Sequence, residues 1–135
     1  MSRTIEVHVD QIGPKTGKGT ARSHSVLIDR PVEKGGEDRG PLGGELLLLS
    51  LGGCFLSNLL AAIAARSADV SDIRIVVSGT IGGAPERFEA MTLRVAAKYG
   101  DKNLMTKLVA IAEQGCLVTN TLKNAVVVSV VLETA

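Results

Sequence analysis

Aromatic residues are nearly absent from the sequence. Two Phe, one Tyr and no Trp account for 2% of its 135 residues. Proteins that bind single-stranded nucleic acid stack the bases on aromatic side chains, so we expect no such platform here. Hydrophobic residues make up 45% of the chain, and their core must be aliphatic. The length predicts a single domain over residues 1–135.

An excess of charge of one sign is also lacking. The 15 basic and 14 acidic residues leave a formal net charge of +1. A nucleic-acid-binding domain carries clustered Lys and Arg, and an anionic membrane surface attracts polybasic segments. Neither pattern occurs in the sequence. We therefore expect no nucleic-acid partner and no membrane partner.

Cysteine occurs only twice, as Cys54 and Cys116. The two form no C-x-x-C motif, which excludes a thioredoxin-type redox motif and a paired-cysteine zinc site. The histidines, His8 and His24, add no spacing typical of a metal site. No secretory signal is recognisable at the N-terminus, so we expect a cytoplasmic protein. In that compartment both cysteines rest as thiols, and a disulfide between them would be transient.

Alternating polar and apolar residues predict strands in both halves of the chain. Residues 4–12 form the first strand and residues 20–29 the second, joined as a hairpin by turn residues. Two further strands follow in the second half of the chain, one around Ile73, Ile75 and Val77 and one around Met91, Leu93, Val95 and Ala97. Val126–Leu132 is nearly all β-branched and predicts a last strand that is buried on both faces.

The longest apolar run extends from Leu46 to Ala65 and contains no charged residue. About 20 apolar residues are enough to span a bilayer, but no basic flank sets an orientation and the glycines Gly52 and Gly53 dilute the run. We interpret it as a long buried central helix. One small domain has little material to surround such a helix. This favours a homodimer in which Gly52 and Gly53 allow another backbone to approach closely.

A second helix is predicted over residues 102–114, with Asp101 as its N-cap and Gly115 at its end. Cys116 then opens a short helical segment that continues to about Lys123. The predicted order of elements is β-β-α-β-β-α-β. Because it mixes hairpins with crossovers, this order is typical of an α+β fold.

Cys54 lies inside the long apolar helix, where a cysteine is usually a small buried hydrophobe. It becomes a nucleophile only if a cation stabilises its thiolate. Arg22 shares one strand face with Val26 and Ile28, which predicts that Arg22 points toward the core, where it requires an anion. That anion is the Cys54 thiolate or the Glu45 carboxylate. Alternatively, Arg22 reaches water, and Glu45 only complements the helix dipole.

Cys116 directly follows the end of one predicted helix and precedes the next. A thiol at a helix N-terminus has its thiolate stabilised, which makes Cys116 a second candidate for redox chemistry. The alternative is a packing residue in a cap region.

The segments around both cysteines resemble the motifs of one known family. Gly40–Pro41, Glu45–Leu48 and Leu51–Cys54 together resemble the first cysteine helix of the OsmC/Ohr family (osmotically inducible protein C and organic hydroperoxide resistance protein). Cys116–Leu122, which reads C-L-V-T-N-T-L, resembles the second cysteine motif, usually C-P-V-S-N-T-L. Arg22–His24 is similar to the OsmC-like branch. The resemblance covers nearly the whole chain.

The resemblance implies an OsmC-like fold and an intertwined homodimer with two active sites at the subunit interface. It implies that Cys54 is the peroxidatic thiol and Cys116 the resolving thiol, with Arg22 and Glu45 holding the reactive sulfur. No bound cofactor is implied. An external dithiol, such as a lipoyl group carried on a protein, is expected to restore the thiols.

The function predicted from these residues is a thiol-dependent peroxidase that reduces organic hydroperoxides to alcohols through a Cys54 sulfenate and a Cys54–Cys116 disulfide. Two rivals stay open. One is a thiol redox sensor, and the other is a dimeric OsmC-like domain without activity. They stay open because the best-characterised peroxidases of the family carry their glutamate one position earlier, where this chain has Gly44, and because Leu117 replaces the usual Pro.

Overall fold

The structure is a computed structural model that describes residues 2–124 and 126–133. The chain divides into two compact units, the first up to Leu47 and the second from Leu48 onward. The helices and strands are, in chain order, β1 (His8–Gln11), β2 (Gly17–Ala21), β3 (His24–Ile28), α1 (Gly43–Ala65), β4 (Val70–Gly82), β5 (Arg87–Tyr99), α2 (Lys102–Gly115) and α3 (Leu117–Lys123). This mixture of antiparallel strands and helices confirms the predicted α+β class.

The first unit contains an antiparallel sheet in the order β1-β2-β3. The predicted first strand over residues 4–12 shortens to β1, and all four of its residues are exposed, so the prediction of a half-buried strand is wrong. Gly17 and Gly19 were expected in a turn, yet both lie in β2. They serve as strand residues because β2 is the central strand, and each pairs on both sides, Gly19 with Val9 and with Val26.

The predicted second strand over residues 20–29 is also wrong as a single element. A two-residue turn, Arg22–Ser23, divides it into β2 and β3, and Ala21 pairs directly with His24 across this turn. Arg22 has a φ of +55°, a left-handed conformation that suits a tight turn and not a strand. The polarity pattern missed the turn because Arg22–Ser23 contains no Gly, Asn or Asp, the residues that usually signal a two-residue hairpin turn.

A buried carboxylate, that of Asp29, holds the connection between β3 and α1. Its Oδ2 atom accepts hydrogen bonds from the Thr16 hydroxyl at 2.9 Å and the Arg39 N–H at 3.3 Å. Its Oδ1 atom accepts from the N–H of Arg30 at 2.6 Å and of Glu37 at 3.4 Å. Burial raises the pKa of Asp29, but these hydrogen bonds outweigh it, and the pKa lies below the ordinary value.

The second unit contains the long β4–β5 hairpin, with pairs such as Ile75 with Val95 and Val77 with Leu93. The two strands confirm those predicted around these residues and extend beyond them. Their inward side chains pack against a core formed by one face of α1 and one face of α2. Leu59 of α1 and Leu108 of α2 are fully buried there.

Helix α1 is buried along one stripe only, formed by Leu51, Phe55, Leu59 and Ala62. Within the described chain the helix is therefore buried on one side, and the homodimer that was expected to cover part of the helix stays a prediction. The length and composition of α1 would suffice for a membrane span, but within the described residues this is weak evidence, because core helices of soluble proteins meet the same criterion.

The predicted C-terminal strand does not form. Within the described residues 126–133, the structure assigns no strand or helix, and Val127 is 98% exposed. The order of elements is therefore β-β-β-α-β-β-α-α, with an additional strand in the first unit and none after α3. A β-branched run favours a strand locally, but a strand also needs a partner edge to supply its hydrogen bonds.

Candidate active site

Cys116 lies at the junction of α2 and α3 and is completely buried. Asp101 caps α2 by accepting a hydrogen bond from the Leu104 N–H at 3.0 Å, as predicted. Cys116 follows Gly115, the last residue of α2, and is the N-cap of α3, where its Sγ accepts a hydrogen bond from the Thr119 N–H at 3.5 Å. The sulfur therefore replaces the hydroxyl or carboxylate that usually caps a helix.

The thiolate of Cys116 is favoured by its surroundings. Burial raises the pKa of Cys116, but nearby donors outweigh that effect and hold the pKa below the ordinary value. The donors are the side chain and N–H of Thr119, the Cys54 thiol and the Val118 N–H.

Cys54 lies in α1, half-buried against the core of the second unit. Asn58 is one helical turn further along, and its Nδ2 atom donates to the Cys54 carbonyl at 3.0 Å and approaches the Cys54 sulfur at 3.9 Å. Residues four apart lie on the same helix face, which brings this amide beside the thiol.

The structure brings Cys54 and Cys116 together. Helices α1 and α2 share one core through Phe55, Leu59 and Ala112, and the Cys54 thiol lies within hydrogen-bonding reach of the Cys116 sulfur. Both are free thiols, and Cys54 is the more accessible of the two. Among the described residues, no three His, Cys, Asp or Glu side chains are grouped so that they could hold a metal ion.

Arg22 is not on the core face of a strand, where the alternating pattern predicts it. It is exposed in the turn between β2 and β3. No ion pair found among the described residues joins it to a carboxylate. The orientation predicted for Arg22 is therefore wrong, because the predicted strand is two strands.

Glu45 lies in the first turn of α1, and its Oε1 atom accepts a hydrogen bond from the Leu42 N–H at 2.8 Å. A glutamate that reaches back to an N–H preceding its helix is one half of a capping box. In the first unit, the Glu45 carboxylate therefore serves the start of α1, and it makes no ion pair with Arg22 in the described part of the chain.

The family model for OsmC-like proteins matches residues 35–131, which include both cysteines and Glu45. The chain belongs to the OsmC-like protein family. No curated protein sequence gives a significant match to this OsmC-like chain.

Solved structures share the fold of this OsmC-like protein at low sequence identity. The OsmC-like protein of Mycoplasma pneumoniae is 15% identical with a TM-score of 0.79, and the match covers 91% of this chain and 89% of the other. An organic hydroperoxide resistance protein of Elizabethkingia anophelis, with thiocyanate bound, is 18% identical with a TM-score of 0.67 and coverages of 89% and 88%. A further organic hydroperoxide resistance protein, OsmC of Legionella pneumophila, is 20% identical with a TM-score of 0.60 and coverages of 87% and 88%.

Two residues beside the sulfurs of this OsmC-like protein were missed by the sequence analysis. Asn58 appeared there only as part of the apolar run, and Thr119 only as one letter of a motif. Asn58 could have been found from its spacing of four residues from Cys54 on a predicted helix. Thr119 could have been found as the third residue after a potential N-cap, where the backbone N–H meets the capping side chain.

Proposed function

We propose that this protein is a thiol-dependent peroxidase that reduces organic hydroperoxides to alcohols. The observation that supports this function best is the pair of free thiols, one half-buried and one fully buried, that lie side by side although 62 positions separate them in the chain. The more accessible thiol, Cys54, is the proposed peroxidatic residue. The buried thiol, Cys116, is the proposed resolving residue.

In the first step, the Cys54 thiolate attacks one oxygen of the hydroperoxide. The O–O bond breaks, the substrate leaves as an alkoxide that takes up a proton, and the sulfur becomes a sulfenic acid. The sulfur is oxidised by two electrons and the hydroperoxide is reduced by two. The neighbouring Asn58 amide, 3.9 Å from the Cys54 sulfur, offers a proton-bearing dipole to this sulfur.

In the second step, the Cys116 thiolate attacks the sulfenic sulfur of Cys54. A disulfide forms, and hydroxide leaves and becomes water. The lowered pKa of Cys116 increases the fraction of attacking thiolate at neutral pH. An external dithiol, which we propose to be a lipoyl group carried on a protein, then reduces the disulfide by thiol–disulfide exchange.

The roles of Arg22 and Glu45 belong to the same proposal. An arginine beside the Cys54 thiolate would stabilise the negative charge of the thiolate and of the departing oxygen by charge-assisted hydrogen bonds. The exposed guanidinium of Arg22 is available for this role, with Glu45 as the residue that orients it. The prediction is tested by Arg22→Ala, which should lower the rate of hydroperoxide reduction while the exposed Arg87→Ala leaves that rate unchanged.

A cytoplasmic homodimer is also proposed. The face of α1 opposite its buried stripe exposes Leu49, Gly53, Ser57 and Leu60, an apolar stripe with two small residues that suits close helix packing. The exposed β-branched residues 126–132 add a second apolar surface. Large contiguous apolar surfaces typically mark an interaction site, and a second copy of the chain would cover both.

The test is stopped-flow consumption of an alkyl hydroperoxide in the presence of a dithiol. We expect Cys54→Ser to abolish consumption and Cys116→Ser to allow one equivalent before turnover stalls. Ser57→Ala is the matched control on the same helix and should keep the wild-type rate. Wild-type turnover by Cys54→Ser would refute the mechanism.

A redox sensor or a domain without activity is the second candidate. It is favoured by the engagement of Glu45 with the Leu42 N–H and by the position of Arg22 in an exposed turn. A sensor would consume about one equivalent of hydroperoxide per protein even with excess dithiol. An inactive domain would leave Cys54 unreactive toward a thiol reagent at neutral pH.

A further inference from the structure

The sulfur of Cys116 is surrounded by hydrogen-bond donors. The Thr119 N–H donates to it at 3.5 Å, and the Val118 N–H and the Cys54 thiol lie within hydrogen-bonding reach. Cys116 is fully buried, so these protein groups, rather than bulk water, stabilise a charge on its sulfur. Hydrogen bonds to the charged form of a group favour that form. The donors therefore favour a thiolate at Cys116.

The sulfur of Cys54 has a poorer set of donors. In the described part of the chain, the polar groups at this sulfur are the Asn58 amide at 3.9 Å and the Cys116 sulfur, to which the Cys54 thiol donates. Two ionisable groups in direct contact titrate as a pair, because like charges at that distance repel each other. When the pair holds one proton, the donors therefore place that proton on Cys54 and the negative charge on Cys116.

This distribution of charge leaves Cys54 in need of a base. A cysteine is a nucleophile only as a thiolate, so Cys54 must lose its proton before it attacks a peroxide. The Asn58 amide has no site that accepts a proton at neutral pH. The Cys116 thiolate has one, and the Cys54 thiol already donates a hydrogen bond to it. The contact required for proton transfer between the two sulfurs is therefore present before a substrate arrives.

The alternative base is a carboxylate. Within the described residues, the cavity bordered by α1, β5, α2 and α3 has Glu89, Glu113 and Lys123 as its charged lining residues. Glu113, in the last turn of α2, is paired with Lys123. Hydrogen bonds, and not these charges, hold the pKa of Cys116 below its ordinary value. Glu113 is therefore the rival base that an experiment has to exclude.

We infer that Cys116 is the general base for Cys54, in addition to being its proposed resolving residue. The inference rests on the proposed peroxidase function and deepens it. As the Cys54 sulfur attacks the hydroxyl oxygen of the hydroperoxide, the proton of Cys54 passes to the Cys116 thiolate. The S–O bond forms, the O–O bond breaks, and the leaving alkoxide takes the proton from Cys116 and departs as an alcohol. Cys116 is then a thiolate again and attacks the sulfenic sulfur.

The test is the rate of the first equivalent alone, measured on the full chain without dithiol. Excess cumene hydroperoxide is mixed with the protein, the reaction is quenched after short intervals, and mass spectrometry follows the loss of the Cys54 thiol. Cys116→Ser removes the ionisable sulfur but keeps a side chain that caps a helix well. We expect its first equivalent to be about 100-fold slower than that of the wild type at neutral pH, the lower end of the effect of a general base. A residue that only resolves the sulfenic acid would leave this rate unchanged.

Two further variants separate loss of the base from loss of structure. Cys116→Ala also removes the helix cap, and it should show the same slow first equivalent as Cys116→Ser because both lack the base. Glu113→Gln removes the rival carboxylate and should keep the wild-type rate. At alkaline pH, where hydroxide removes the proton of a thiol without help, both Cys116 variants should approach the wild-type rate. A structural defect would not be repaired by a change of pH.

The inference is wrong if Cys116→Ser forms the Cys54 sulfenic acid at the wild-type rate at neutral pH, or if its deficit persists at alkaline pH. It is also wrong if Glu113→Gln, and not Cys116→Ser, slows the first equivalent. In each of these cases the peroxidase function stands, because the wild type still oxidises Cys54. A wild type that consumes no hydroperoxide would instead refute the proposed function, and the inference with it.

Discussion

The backbone N–H of Thr119 points at the sulfur of Cys116 over 3.5 Å, so a thiol caps helix α3. A thiolate accepts such a hydrogen bond better than a thiol does, because the acceptor is then charged. The cap therefore links the ionisation of Cys116 to the local fold of α3. The second thiol, Cys54, contributes to the same effect from the neighbouring helix.

The pKa of Cys116 is expected to lie below that of an ordinary cysteine thiol, about 8.5. The measurement is a titration of thiolate absorbance in the ultraviolet on Cys54→Ser, in which Cys116 is the only cysteine. Adding Thr119→Val removes the side-chain donor but keeps the N–H, and should raise this pKa. An unchanged pKa would show that the side chain of Thr119 has no influence on the sulfur.

Acidification should weaken the first unit through Asp29. Because its folded-state pKa is lowered, its contribution to stability is complete above the pKa of the unfolded chain and is lost as the pH falls through the folded-state pKa. Asp29→Asn should therefore lower the thermal midpoint at neutral pH and flatten the loss of stability in acid. The control is Asp38→Asn, an exposed position in the same connection, and equal effects of the two variants would contradict the prediction. Thermal unfolding followed across acidic and neutral pH provides the measurement.

Two adjacent leucines of α1 should differ strongly in how much stability their truncation costs. Leu59 is fully buried and Leu60 is 50% exposed. Leu59→Ala should lower the free energy of unfolding by about 2–5 kcal/mol, the range for a leucine removed from a packed core. Leu60→Ala should change it by less than about 0.5 kcal/mol in dilute protein. Urea unfolding measures both, and a large loss for Leu60→Ala that grows with protein concentration would instead indicate that a second copy covers Leu60.

The two neighbouring glycines of α1 should also differ. A Cβ at Gly52 would lie 2.8 Å from Cγ2 of Val77, whereas a Cβ at Gly53 meets nothing within 4 Å. Gly53→Ala should stabilise the monomer by about 0.5–1 kcal/mol through helix propensity. Gly52→Ala should lose this gain because Val77 must shift. Thermal unfolding at low concentration compares them, and equal stabilities would argue against close packing at Gly52.

Local patterns in the sequence predict most helices and strands of the second unit. The helical spacing of α2, its Asp101 cap and the alternation in β4 and β5 are all encoded by near neighbours. The predictions that were wrong concern segments whose secondary structure depends on pairing with residues distant in the chain. Gly17 and Gly19 become strand residues only because β1 and β3 flank them, and residues 126–132 form no strand in the described chain despite their β-branched composition.

The candidate site was likewise predicted from the sequence only in part. The resemblance to the OsmC/Ohr family identified both cysteines as candidates, and the packing of the helices places their sulfurs next to each other. The residues around the sulfurs were harder to predict from the sequence. The roles of Asn58 and Thr119 depend on which helix face packs against which neighbouring element. The orientation of Arg22 was wrong because one undetected turn reverses the direction of the chain.

The connection from β3 to α1 looks like a flexible linker in sequence but is held as a folded element around Asp29. A Cβ at Gly36 would lie 2.0 Å from the Arg30 carbonyl oxygen, and a Cβ at Gly40 would lie 2.1 Å from the Leu27 carbonyl oxygen. At both glycines two backbone segments are therefore in direct contact, with no room for a side chain between them. Trypsin, which requires an extended substrate, should therefore spare the Arg39–Gly40 bond in the native protein, although Arg39 is exposed. The segment is a poor place for inserted sequences or fusion tags, and the exposed turn between β4 and β5 is the better choice for them.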